Sequence, residues 1–190
     1  MMNQIELFQS LEDSPVIAAV KNDQGLQRCL SCESKVVFVL YGSINTIAEI
    51  VLRLKEAKKS VFVHIDLLDG LSAREAAVEY LIQNTCIDGI ISTKPALIRY
   101  ARSRGLLTVQ RFFVLDSLAL ENIRKTDQPD SADLVEILPG LMPKIIKKLN
   151  CEIKKPIIAG GLISDKEDIV TALNAGAIAI SSTNQDVWFM

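Results

Sequence analysis

The sequence has one histidine, four cysteines and only 5% aromatic residues in 190, and each scarcity narrows what it can do. One imidazole excludes the metal sites that need several. Cys29 and Cys32 form the only close cysteine pair; no second pair at zinc spacing follows, and no redox-type strand–helix start surrounds them, so they read as small buried hydrophobes. So few rings leave no broad stacking platform for single-stranded bases. No apolar run approaches the ~20 residues of a membrane helix, and no N-terminal stretch combines a basic flank, an apolar run and a small-residue cleavage site. The expectation is a soluble cytoplasmic protein with no membrane partner. A net charge of -2 gives no general attraction to nucleic acid or anionic lipid, so such a partner would have to be met by a local patch. Low-complexity segments are also lacking, and DQPDSAD is the only polar breaker run. One domain over residues 1–190 is therefore expected.

What the chain does have is apolar sequence, at 49% of residues, enough for a sizeable core without disulfides. The runs PVIAAV, VVFVLYG, SVFVHID, DGIIST, LLTVQRFFV, DLVEILPG, KPIIAGG and GAIAISS are short and continuously hydrophobic. That is the pattern of parallel strands covered on both faces. Between them lie helical spacings. In NTIAEIVLRLKEAKK, Ile47, Ile50, Val51 and Leu54 form one stripe, with Asn45 placed to cap its start. SAREAAVEYLIQN, KPALIRYARSRG and DKEDIVTALNAG behave likewise, the last closing on a glycine suited to a helix C-terminus. This alternation predicts an α/β fold, a (β/α)8 TIM-type barrel, with a doubly wound open sheet as competitor.

In such a barrel the functional atoms lie at the C-terminal ends of the strands, and the loops after the last two strands often bind phosphate through backbone N–H groups. Gly160 and Gly161 end the seventh run; Ser181 and Ser182 end the eighth, with Thr183 next. Glycine lets the backbone approach an anion, and hydroxyls add donors. Tight strand-to-helix turns are the competing reading of the same residues. In VFVHIDLLDG, alternation puts Phe62, His64 and Asp66 on one face. His64 reads either as a hydrogen-bonded core histidine or as a mouth residue, whereas an ionised Asp66 is costly to bury unpaired. Lys21, Lys94, Arg111 and Glu136 likewise follow or interrupt apolar runs. They could form an ion-pair layer or hold a ligand.

The ordered blocks PVIAAVKN, HIDLLDGL, GIISTK, QRFF, EILPG, AGGLI and AIAISS, spread over nearly the whole chain, resemble the glycerol uptake operon antiterminator regulatory protein family. The resemblance implies a phosphate-binding barrel that senses glycerol 3-phosphate as effector, needs no other cofactor or metal, and binds the leader of a messenger RNA to prevent premature transcription termination. It implies a phosphate-binding role for Gly160, Gly161, Ser181 and Ser182. Lys21, His64, Asp66, Lys94, Arg111 and Glu136 fall in matching blocks as candidate polar contacts. For the RNA, Lys144, Lys147 and Lys148 share a helical face and Lys154 and Lys155 follow; Arg99, Arg102 and Arg104 are a second candidate, and plain solvated surface explains either. A homodimer would pool two such patches. The alternative is a barrel enzyme acting on a phosphorylated small molecule, an epimerase or glyceryl-phosphate transferase, with Asp66, Glu136 or Lys94 moving protons. No catalytic set is otherwise evident.

Overall fold

In the computed structural model, which describes residues 2–190, the eight apolar runs become eight strands. They are β1 (Val16–Val20), β2 (Val36–Val39), β3 (Ser60–His64), β4 (Gly89–Ser92), β5 (Leu107–Phe113), β6 (Leu134–Leu138), β7 (Ile157–Gly160) and β8 (Ala179–Ser182). Every neighbouring pair is parallel, and β1 pairs with both β2 and β8. The sheet is closed, which decides against the open doubly wound alternative. Helix α1 (Gln4–Asp13) precedes the barrel; α2 (Asp23–Cys29), α3 (Ile47–Glu56), α4 (Glu75–Asn84), α5 (Pro95–Ser103), α6 (Ser117–Arg124), α7 (Pro143–Glu152) and α8 (Lys166–Asn174) follow the first seven strands. After β8 comes a 3-10 turn, Val187–Phe189, whose Trp188 indole N–H donates to the Ser182 carbonyl at 2.7 Å.

Side-chain alternation divides the strands into an axial face and a helix-facing one. Ile17, Phe38, Phe62, Val109, Leu134 and Ile158 fill the axis. Phe38 and Phe62 meet at a tilt, 5.8 Å between centroids. Opposite Phe62 the chain needs Gly89, where a Cβ would lie 2.5 Å from that ring and 2.4 Å from the Leu107 carbonyl. The other faces of the strands, with Val37, Val61 and Ile90, pack on the helical stripes, that of α3 being the predicted Ile47, Ile50, Val51 and Leu54.

Helix α1 closes the N-terminal end of the barrel. Asn3 and Glu6 form a reciprocal capping box, and Leu7 and Leu11, one turn apart, enter the axial cluster. The cap of α3 differs from expectation. Thr46, not Asn45, holds the cap position, and its hydroxyl accepts from the Ser43 N–H instead of serving the helix. Two hydroxyls three residues apart make a turn of their own, which displaces the start by one residue. Gly176 ends α8 at φ +106, as expected of a helix-terminal glycine. Cys29 and Cys32 are buried. Among the described residues no helix is long and apolar enough to cross a membrane, and no group of three or more His, Cys, Asp or Glu could hold a metal.

Candidate functional site

The axial positions change character at the C-terminal end. Apolar residues give way to His64 on β3, Arg111 on β5, Glu136 on β6 and Ser181 on β8, and the same alternation carries Lys21, Thr93 and Thr183 to the rim. Glu136 is fully buried. Its Oε2 accepts from Arg111 Nε at 2.6 Å and its Oε1 from the Ser181 hydroxyl at 2.5 Å. Burying that charge is tolerable only because a cation and a donor meet it. Gly160 makes the arrangement possible: a Cβ there would stand 2.6 Å from both Glu136 Oε1 and Ser181 Oγ. Arg111 spends only its Nε within the protein. Its two amino groups have no hydrogen-bond partner among the described residues and are not sealed from solvent.

His64 is 3% exposed, and its Nδ1 is buried without a hydrogen bond; Asp66 Oδ2, at 3.9 Å, is too far to supply one. Burial, then the Arg111 charge, lowers its pKa to about 4 against a smaller opposing pull from Asp66, so the ring is neutral at pH 7. Asp66 itself is occupied. It accepts from the Ser92 hydroxyl at 3.0 Å to each oxygen, from Thr93 N–H at 2.8 Å and from the Thr93 hydroxyl at 3.1 Å. These are three donors, the single Ser92 proton being shared between the two oxygens, and they make Asp66 a tie between the ends of β3 and β4.

The loops after β6 and β7 approach closely. Gly140 N–H donates to the Gly161 carbonyl at 3.1 Å, and a Cβ at Gly140 would lie 3.1 Å from the Gly160 nitrogen. Gly161 and Leu162 then take left-handed conformations in succession, φ +75 and +65. Leucine pays no packing role there, being 73% exposed, and an L-residue with a side chain adopts this conformation only at a cost. The N–H groups of Gly161, Leu162 and Thr183 donate to no other group of the described residues. Ser182 faces away from the axis: its hydroxyl donates to the Ile163 carbonyl at 2.7 Å and accepts from Asn184 N–H at 3.1 Å, fastening the last two loops together. Of the four expected phosphate residues, Gly161 lies in this unpaired turn, Gly160 and Ser181 in the Glu136 cluster, and the Ser182 side chain in neither.

A family model described as glycerol-3-phosphate responsive antiterminator matches residues 16–188. The chain belongs to that family. It is 44% identical over 182 residues to the uncharacterised protein YgcP of Escherichia coli K12, covering 96% of this chain and 95% of that one. The crystal structure of the glycerol uptake operon antiterminator regulatory protein from Listeria monocytogenes superposes with TM-score 0.86 at 31% identity, covering 93% and 95% of the two chains. A glycerol uptake operon antiterminator-related protein from Thermotoga maritima gives 0.79 at 32%, covering 92% and 98%. Barrel enzymes at 13–15% identity, aldolases among them, share the fold alone.

In this family member the expected basic residues can be placed on the fold. Lys144, Lys147 and Lys148 are exposed on α7, opposite its buried Ile146 and Leu149. Lys154 and Lys155 follow the C-terminal end of that helix, which lies four residues, about 6 Å along the axis, past Lys148. They are therefore at the N-terminal end of the barrel, where burial and then the Arg102 charge lower the pKa of Lys155. The five lysines thus run from the exposed face of α7 to the N-terminal end of β7. Of the arginine trio, Arg102 is held by Asp133 and the Ser131 carbonyl, and Arg104 by Glu79; Arg99 has no ion pair. Lys21 and Lys94 are exposed at the rim and unpaired.

Proposed function

We propose that the barrel mouth binds glycerol 3-phosphate, and that the loaded protein holds the leader of a messenger RNA and prevents premature transcription termination. The observation that carries the ligand reading is Arg111. Its Nε is fixed by buried Glu136, so its two unpaired amino groups are presented in one orientation, as recognition of an anion requires. The free N–H groups of Gly161, Leu162 and Thr183 line the same end of the axis and suit phosphate oxygens. Lys21 and Lys94 add charge at the rim. The neutral His64 lies in the same layer, its Nδ1 sealed from the mouth, and it bounds the pocket instead of contributing charge to it. Family membership and the Listeria relative's name support the regulatory half. So does the state of the carboxylates: Asp66 and Glu136, which a proton-transfer enzyme would draw on, are both already engaged by protein donors.

Calorimetry of Arg111→Lys tests the ligand site, because lysine keeps a cation beside Glu136 and loses the planar fork. Losing charge-assisted hydrogen bonds of about 1.5–3 kcal/mol should weaken glycerol 3-phosphate binding by roughly tenfold to a hundredfold. Unchanged affinity in the folded variant would remove Arg111 from the site.

A further inference from the structure

The two faces of β5 carry different chemistry. Arg111 points to the axis, while Gln110 and Phe112, on either side of it, point to the helices. A groove of about 650 Å³ opens there between α5 and α6; Gln110, Phe112, Arg99, Asn122 and Lys125 line it, and Arg111 and Thr93 border it where it adjoins the mouth. That is the size of a small-ligand site.

Gln110 is the feature that packing does not explain. It is 2% exposed, its side-chain amide makes no hydrogen bond with any described residue, and what access that amide keeps is on the groove side. A carboxamide held almost wholly within the fold offers donors and an acceptor in one plane that the protein leaves to solvent or a ligand. Phe112 forms a half-buried wall beside it, and Phe113 is 54% exposed at the lip. Two cations flank the opening, Arg99 on α5 and Lys125 just past α6, both exposed and both without an ion pair; Asp130 is the one acid on the lining.

We propose that this groove takes one unstacked nucleotide of single-stranded RNA, its base against Gln110 and Phe112 and its phosphates on Arg99 and Lys125. Sequence-specific RNA recognition works on bases splayed from single strands, stacked on a ring or guanidinium and read along their edges. A glutamine amide meets the paired donor and acceptor of adenine in two hydrogen bonds. One aromatic wall suffices for one base, so the scarcity of rings does not count against it. The proposal rests on the messenger RNA reading and offers a base-reading surface, which lysines alone do not.

Fluorescence anisotropy with short labelled homopolymer RNAs, at two salt concentrations and with saturating glycerol 3-phosphate, tests it. The pair Arg99→Ala with Lys125→Ala should lower affinity at least tenfold and flatten the log–log salt slope by about 1.4, two phosphate contacts on a single strand. Gln110→Met, equal in length but unable to hydrogen-bond, should leave the slope alone and erase a base preference of roughly tenfold or more. If the wild type binds RNA and both variants bind it equally well, the groove is overturned and the messenger RNA reading stands. If the wild type binds none of these RNAs, that reading falls. Adenosine 5′-monophosphate, followed by NMR at the Gln110 side-chain amide, then decides the groove: a saturable shift retains it as a free-nucleotide site, and no shift overturns it as well.

Discussion

A few atoms set the geometry of the mouth, and Gly160 shows how tightly. The position 2.6 Å from Glu136 Oε1 and Ser181 Oγ has no room for a methyl group, because both oxygens are held by their own hydrogen bond. Gly160→Ala should therefore part Glu136 from Ser181 and cost about 1–3 kcal/mol in urea unfolding, the scale of a buried polar group losing its partner. An alanine variant as stable as wild type would show that the cluster tolerates displacement. His64 makes the same layer sensitive to acid. Its folded pKa of about 4 lies below the ordinary 6.5 of the unfolded chain, so between those values the unfolded state takes up the proton more readily. The neutral ring costs nothing above pH 6.5. As pH falls from there toward 4, stability declines by an amount on the order of 3 kcal/mol. Unfolding of His64→Gln should be flatter than wild type across this window, carboxylate titration being common to both; parallel curves would mean that His64 protonates freely in the folded protein.

At the level of elements, the tight turn after β7 is where backbone conformation would serve the proposed ligand. Gly161→Val places a β-branched residue at φ +75, where its Cβ also comes within 3.2 Å of the Leu138 side chain. The turn should re-form with its N–H groups redirected, weakening glycerol 3-phosphate binding tenfold or more in calorimetry while the barrel persists; wild-type affinity would take the turn out of the site. The strands that carry this turn were legible in the sequence, because runs such as KPIIAGG and GAIAISS are continuously apolar only if both faces are covered. Arg111 and Glu136 also stood out, since charge inside such runs demands a partner. Other features depend on residues distant in sequence. Asp66 is tied by Ser92 and Thr93, 26 and 27 residues away, and no local pattern tells a tied carboxylate from a free one. Leu162 bears no mark of its left-handed backbone. Strict alternation does separate Ser181 from Ser182, facing one to the axis and the other to the helices, and the asparagine–glutamate pair before Leu7 and Leu11 was a readable start for α1.

Over the whole molecule, the arrangement of charge says how a protein of net charge -2 could hold RNA and make the binding answer to a small ligand. Its overall field repels a polyanion, so binding must come from local cations and weaken steeply as salt rises. The proposed ligand and RNA sites share one element. Arg111 looks into the mouth from β5, and Gln110 and Phe112, its immediate neighbours, look into the groove between α5 and α6. A shift or stiffening of β5 when Arg111 grips a phosphate would reach the groove within the same strand. Spatial continuity is not by itself coupling, but coupling has a thermodynamic signature. If glycerol 3-phosphate raises RNA affinity, RNA must raise glycerol 3-phosphate affinity by the same factor, typically about 5–150-fold. Titrating each ligand with and without the other should give equal factors. Lys147 and Lys148 on α7 supply the control: reversing their charge should leave the coupling factor unchanged if the groove is the contact. If that reversal abolishes RNA binding while Arg99→Ala with Lys125→Ala spares it, RNA lies along α7 and β5 is not the shared element. RNA affinity indifferent to saturating glycerol 3-phosphate would sink the sensor mechanism altogether, because a ligand that shifts no equilibrium cannot regulate one.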